Sequence, residues 1–352
     1  MNKNFWKAKK VLVTGHTGFK GSWLSLWLQD LGSEVLGISL EPETNPNLFQ
    51  VANIQKNMKS IFCNILDKDK LQKIIVSFEP EIIIHMAAQP IVRRSYLDPE
   101  NTYLTNVMGT LNLLENVRKI NKTKVFLNVT TDKCYKNKEW LWGYRESEPL
   151  GGYDPYSSSK ACSEILTSSY RDSFFKDTGK SIATARAGNV IGGGDWSEDR
   201  LVPDIFKSIL DGRNIIVRNP NAIRPWQHVL CPLSGYLELV ERMYEDPINY
   251  SEAWNFGPPD DDARKVESIV SELCSIWLNG IDYLVKSDPN ALHEATFLKL
   301  DCSKAKAKLN WYPKITLSDA LSQICQWYKA FSNGEDMRAF TLKQIKNYEN
   351  LK

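Results

Sequence analysis

Short β-rich, mainly apolar runs recur along the first 130 residues, separated by stretches of helical periodicity. Lys10–Thr14 (KVLVT), Glu34–Leu40 (EVLGISL), Lys59–Cys63, Ile82–Ile84 and Val125–Val129 read as strands. Between them, Gly21–Leu31 (GSWLSLWLQDL) and Asp67–Phe78, with apolar residues at 71, 74, 75 and 78, read as helices. Strands apolar on both faces and alternating with helices predict a parallel sheet covered on both sides, a doubly wound α/β fold. From about residue 190 the alternation weakens, and loops such as GGGDWSEDR (192–200) and RNPNAIRPWQH (218–228) take over. The pattern predicts a sheet domain over 1–190 and a smaller, loop-rich C-terminal lobe over 191–352 that binds substrate. Residues 229–256 are expected to return to the first domain, so that the two interleave.

Composition narrows the class. With 42% hydrophobic and 24% charged residues among 352, disorder, collagen and coiled coil are excluded. Lys+Arg is 44 and Asp+Glu 42, and the net charge of +2 argues against a nucleic-acid partner. Cysteines 63, 134, 162, 231, 274, 302 and 325 show no CxxC spacing, and histidines 16, 85, 228 and 293 are equally scattered. They predict reduced thiols, no metal and a cytoplasmic setting. The start, MNKNFWKAKKVLVTG, carries neither a signal-peptide core nor the ~20 apolar residues of a membrane span.

Candidate chemistry begins at Gly15-His16-Thr17-Gly18-Phe19-Lys20-Gly21, between the first strand and the first helix. A glycine turn there lets the backbone approach a pyrophosphate at the helix N-terminus, as in a Rossmann-type dinucleotide site. The acidic residue expected at the end of the second strand is replaced by Ser39, with Glu41 two positions on; either is a candidate for the ribose. No arginine follows closely to hold a 2′-phosphate, so NAD is expected rather than NADP. His16 and His85 read as structural braces.

Tyr156 and Lys160 lie four apart on one face of an expected helix, where an ammonium can lower a phenol's pKa. Thr131, just after the strand Val125–Val129, can bring a hydroxyl to the same substrate oxygen. Next to it, Asp132 and Lys133 offer an acid and a base. Asp132 must be protonated near neutrality to donate, which needs burial or a neighbouring anion. Lys133 must be neutral to accept a proton; its alternative is an electrostatic clamp on a developing enolate. Mutual attraction opposes both requirements.

The glycine turn, the strand-end threonine and YxxxK resemble the extended short-chain dehydrogenase/reductase family. So do HMAAQ (85–89), TNVMG (105–109), RAGNVIG (186–192) and RPWQHV (224–229). Within that family, VTGHTGFKGSWL, AAQPIVRRSY, TTDKCY, GGYDPYSSSK and RAGNVIGGGDW are similar to the nucleotide-sugar 4,6-dehydratases that take CDP-glucose. The C-terminal stretch carries less of the likeness. The resemblance implies oxidation at sugar C4 assisted by Tyr156, Thr131 and Lys160. Loss of water across C5 and C6 follows, with Asp132 as acid and Lys133 as base, and hydride returns to C6. It extends the cofactor site to Asn64, Ala87, Ala88, Gln89 and Asn106, and implies a homodimer or higher homo-oligomer through paired helices. A role in deoxysugar and lipopolysaccharide O-antigen precursor synthesis goes with it.

On the substrate side Arg224 is the candidate for the diphosphate, through bidentate guanidinium contacts, with the Asn189 amide beside it. Arg218, Arg93 and Arg94 are further candidates. Trp196 and Trp226 read as packing residues or as platforms for the base. A nucleotide-sugar 4-epimerase would need Thr131, Tyr156 and Lys160 but no adjacent acid–base pair. A non-catalytic NAD-binding regulator would not need to keep all three.

Overall fold

The structure is a computed structural model that describes residues 1–277, 283–286 and 297–351. The strands are β1 Lys10–Thr14, β2 Glu34–Ser39, β3 Lys59–Phe62, β4 Ile82–His85, β5 Val125–Val129, β6 Ser181–Ala187, β7 Asn189–Ile191, β8 Ile215–Val217, β9 Ile223–His228, β10 Ala253–Phe256, β11 Ala263–Lys265 and β12 Tyr283–Val285. Seven of them form one sheet in the order β10-β6-β5-β4-β1-β2-β3, every pair parallel. The order reverses between β1 and β4. That reversal opens a crevice at the carboxyl ends of the strands, where doubly wound sheets bind ligands.

Alternation along each strand feeds two cores. Val11, Val13, Ile82, Ile84, Val125, Leu127, Ala183 and Ala185 face one side. Leu12, Ile83, Phe126 and Ile182 face the other. All are fully buried, which is why these strands show little polar relief in sequence. The helix Lys68–Phe78 starts where Asp67 accepts the Lys70 amide at 3.1 Å. The helix Phe19–Asp30 begins two residues before its apolar pattern does, at the cap Gly18.

β10 lies beside β6, and the helix Leu230–Glu245 packs on β5 and β6. The second lobe holds a three-stranded sheet, β11-β9-β7, and the parallel pair β12-β8. The last helix, Met337–Asn350, leaves that lobe and packs on Phe19–Asp30. There Trp27 Nε1 donates to Glu349 at 2.9 Å, and Arg338 reaches Gln29 at 2.8 Å. Among the described residues no helix is long and apolar enough to cross a membrane, and no cluster of His, Cys, Asp and Glu could hold a metal. All seven cysteines are free.

Candidate active site

The glycine turn sits in the crevice. Gly15 has φ +75°, and a Cβ there would lie 2.7 Å from the Ala87 amide nitrogen. A Cβ on Gly21 would lie 2.0 Å from the Gly15 carbonyl oxygen, so the helix is drawn tight against the turn. Gly18 caps the helix without a side-chain acceptor and is solvent-exposed, which leaves the helix N-terminus open to an anion. Phe19 packs under Gly192 of the second lobe; a Cβ on that glycine would come within 2.9 Å of its ring.

Thr17 donates to the Leu40 carbonyl at 3.0 Å and shares a 2.8 Å hydrogen bond with Ser39. The Ser39 hydroxyl therefore already has a partner at the strand end, and Glu41 stands exposed beyond it. The Ala87 amide donates to Thr14 Oγ1 at 3.2 Å, which places Ala87 and Ala88 beside the turn. Gln89 and Asn106 lock together: the Gln89 amide donates to Asn106 Oδ1 at 2.9 Å, and Asn106 Nδ2 donates to Ser159 at 2.8 Å. Asn64, exposed, accepts the Leu66 amide at 2.9 Å just after β3. His85 is held between Thr14, 2.7 Å, and Thr110, 3.0 Å, and burial pushes it down to about 3. His16 bonds Ser60 at 2.7 Å and is pushed by burial down to about 4. Its ring fills the space over Gly37, where a Cβ would meet it at 2.3 Å. Both histidines are neutral braces.

Tyr156 and Lys160 lie on the helix Pro155–Tyr170, whose start is fixed by Pro155 and by Asp154, an acceptor for the Ser157 amide at 2.9 Å. Thr131 and Asp132 reach the same place from the end of β5. Thr131 Oγ1 donates to Asp132 Oδ1 at 3.0 Å and accepts the Lys133 amide at 3.3 Å, capping the short turn Asp132–Cys134. Tyr156 is buried and hydrogen-bonded with Thr131. Burial pushes the phenol up to about 12, against the pull of Thr131 and Arg200. Desolvation here outweighs the lowering expected of Lys160. The Lys160 ammonium is instead turned to the Val129 carbonyl, 3.3 Å away, and burial pushes it down to about 8.

Asp132 is buried, and burial holds its carboxyl above the usual range despite Lys133, Thr131 and Arg224. Desolvation thus outweighs the attraction of its neighbour. Lys133 is half-buried beside it. A Cβ on Gly188 would come within 2.9 Å of Asp132 Oδ2, so the glycine gives the carboxyl its room.

Three further groups face this centre. Lys20 follows the turn in the first helical residues. It donates to the Tyr236 hydroxyl at 2.9 Å and is pushed down to about 7 by burial and by the like charges of Lys160 and Arg200. Tyr236 and Arg200 escaped the sequence reading, since a tyrosine in the apolar stripe of Leu230–Glu245 and an arginine in a loop carry no spacing signal.

On the substrate side Arg224, on β9, acts electrostatically on Asp132. Asn189 opens β7 in register with Trp226. Arg218 and Arg93 both pair with Asp199, at 3.0 and 3.3 Å. Arg94 pairs with Glu43 at 3.0 Å on the surface and is not brought to the centre. Trp196 packs edge-on against Trp327, Tyr328 and Phe331, a core role. Trp226 is buried in β9.

A parallel sheet in this order, with Thr131, Tyr156 and Lys160 at its carboxyl edge, defines an extended short-chain dehydrogenase/reductase. Residues 12–324 match the family described as GDP-mannose 4,6 dehydratase, and the chain belongs to that family. It is 51% identical to CDP-glucose 4,6-dehydratase of Salmonella typhimurium, over 99% of this chain and 98% of that one. It is 26% identical to dTDP-glucose 4,6-dehydratase of Haemophilus influenzae, over 90% and 97%. Among solved structures, dTDP-glucose 4,6-dehydratase of Bacillus anthracis in complex with NAD has the same fold. The TM-score is 0.76 at 23% identity, over 93% of this chain and 99% of that one.

Proposed function

We infer that this chain is an NAD-dependent lyase that dehydrates CDP-glucose to CDP-4-dehydro-6-deoxyglucose, a step of deoxysugar synthesis. The observation that carries the reading is Asp132. A buried carboxyl, held above its usual range by desolvation and accepting from the threonine that meets the phenol, stands where the elimination needs an acid. The extent of identity with the Salmonella enzyme supports the CDP-sugar.

The residues fit the cofactor. Gly15, Thr17, Gly18, Phe19 and Gly21 form the cradle and open helix start that a pyrophosphate needs, and a Cβ at Gly15 or Gly21 would push the Ala87 backbone or the helix off the turn. Ala87, Ala88, Gln89 and Asn106 line the adjoining loop, Ser39 serves the adenosine ribose, and Asn64 lies at the far edge. NAD, when bound, supplies a hydride acceptor for sugar C4 and a donor for C6. Tyr156 takes the proton of the 4-hydroxyl while Thr131 holds the same oxygen, and Lys160 stabilises the phenolate once the site is filled. Asp132 gives its proton to the departing 6-hydroxyl, which leaves as water, and Lys133 takes the proton from C5 and returns one there when C6 receives hydride. Arg224 and Asn189 hold the diphosphate, with Arg218 as a second arm once Asp199 yields it. Arg94 would have to leave Glu43 to take part.

The test is incubation with NAD and CDP-, dTDP-, GDP- or UDP-glucose, side by side. The expected product forms from CDP-glucose, absorbs in alkali and is lighter by one water. A product of unchanged mass, a C4 epimer, would overturn the elimination, and no product from any sugar would overturn the enzyme.

The seven free cysteines suit a reducing cytoplasm. For the oligomer, the helices over 92–108 and 155–175 pack on one another and leave Leu97, Leu104, Ile165 and Phe174 exposed. That apolar face suits a second copy of the chain, and light scattering of Ile165→Glu against the parent checks it.

A further inference from the structure

Behind the catalytic centre lies a charged pair that the reaction does not use. Glu164 and Arg186 meet at 2.7 Å, each side chain only 3% exposed. Burying two charges is expensive, and apolar residues of similar volume commonly stabilise a fold as well or better. A chain with two extensive apolar cores has no need of such a pair for cohesion alone.

Its partners show a pattern. Glu164 accepts hydrogen bonds from Thr130 Oγ1 and from Thr184 Oγ1, the latter at 2.7 Å. Arg186 donates to the Tyr135 hydroxyl at 2.7 Å, and Tyr135 donates onward to Asn255 at 2.7 Å. Thr130 immediately precedes Thr131, and Tyr135 immediately follows the turn Asp132–Cys134. Glu164 follows Tyr156 and Lys160 at four-residue spacing, on the same face of the same helix.

We propose that the Glu164–Arg186 pair is a positioning clamp, which pins both ends of the segment carrying Thr131, Asp132 and Lys133 to the helix carrying Tyr156 and Lys160. The inference deepens the dehydratase reading and rests on it for the roles of those five residues. Thr130 fixes the entry to the turn, Tyr135 fixes its exit, and β6, through Thr184 and Arg186, supplies the common anchor. Glu164 and Arg186 touch no reacting atom. They act through the residues they hold, where a displacement of about 1 Å costs on the order of 100-fold in rate. The negative charge of Glu164 also opposes the desolvation of Lys160.

The decisive variants remove one anchor or the whole pair. Thr130→Val removes the hydroxyl and keeps the shape; Thr130→Ser keeps the hydroxyl. We expect Thr130→Val to lower kcat about 10- to 100-fold with KM for CDP-glucose within about twofold, and Thr130→Ser to recover most of that loss. The double replacement Glu164→Leu with Arg186→Met is expected to melt near the parent yet stay slow, because it restores packing without the anchors. Wild-type kcat in Thr130→Val, or kcat regained in the double variant, would overturn the clamp. If the double variant does not fold, the Thr130 comparison decides alone.

A second readout needs no turnover. In the substrate-free protein, amide hydrogen exchange over residues 130–136 should be faster in Thr130→Val than in the parent or Thr130→Ser, with β1 as internal control. Equal exchange would overturn the proposal. A parent that dehydrates no sugar nucleotide would remove the dehydratase reading, while the exchange comparison would still judge the clamp.

Discussion

At the scale of single residues, Asp132 carries most of the argument, and its burial has a thermodynamic sign. Its carboxyl is held above the unfolded value of 3.8, so ionisation opposes the folded state. That opposition is absent below the unfolded pKa and grows as pH rises toward the folded one. Asp132→Asn should therefore melt higher than the parent at neutral pH, and the gap should close as both are acidified below the unfolded value. In the same variant the 4-hydroxyl can still be oxidised while water loss stalls, so reduced cofactor should accumulate and be visible by its absorbance. Loss of both steps together would contradict this division of labour. Gly188→Ala tests the room around the same carboxyl: the added methyl meets Asp132 Oδ2 at 2.9 Å, the movable end of a side chain. We expect kcat to fall about 10-fold or more while stability changes by no more than about 1 kcal/mol, measured by denaturant titration. Thr131, Asp132, Tyr156 and Lys160 were legible in sequence because their chemistry is local, set by adjacency or a helical turn. The direction of Lys20 was not, because it is decided by Tyr236, more than two hundred residues away.

At the scale of elements, the strands that build the crevice announce themselves because both faces are buried, so β1, β4 and β5 are mainly apolar, with Asn128 the one polar residue inside β5. The strands of the second lobe are different. β7, β8, β11 and β12 have three residues each, too few for a period, and exist only because a partner strand pairs with them. The helix Pro155–Tyr170 shows what an element contributes to chemistry. Its first turn holds Tyr156, and the Asp154 cap bonds both the Ser157 amide and the Ser157 hydroxyl, at 2.9 and 2.6 Å. Asp154→Ala should cost about 1 kcal/mol of stability and lower kcat more than it changes KM, as the frayed first turn lets the phenol wander.

At the scale of the whole molecule, the chain closes on itself in a way its hydrophobic pattern does not foretell. The helix Met337–Asn350 lies on the helix that begins at the glycine turn, and Trp27, fully buried, donates to Glu349 across that contact. The helix buries Met337, Thr341, Gln344, Ile345 and Tyr348, and nothing local in the sequence says which lobe takes that face. A chain ending at Glu335 should expose Trp27, shift its fluorescence to the red and melt lower by about 10 °C. β10 has another kind of consequence. It takes the outer position beside β6, yet it is made only after residues 188–252, which build much of the second lobe. A growing polypeptide therefore carries β6 as an unpaired edge of the sheet until residue 256 has emerged. The pace of translation through that stretch, and the chaperones that attend it, become determinants of yield even where they alter nothing in the mature enzyme.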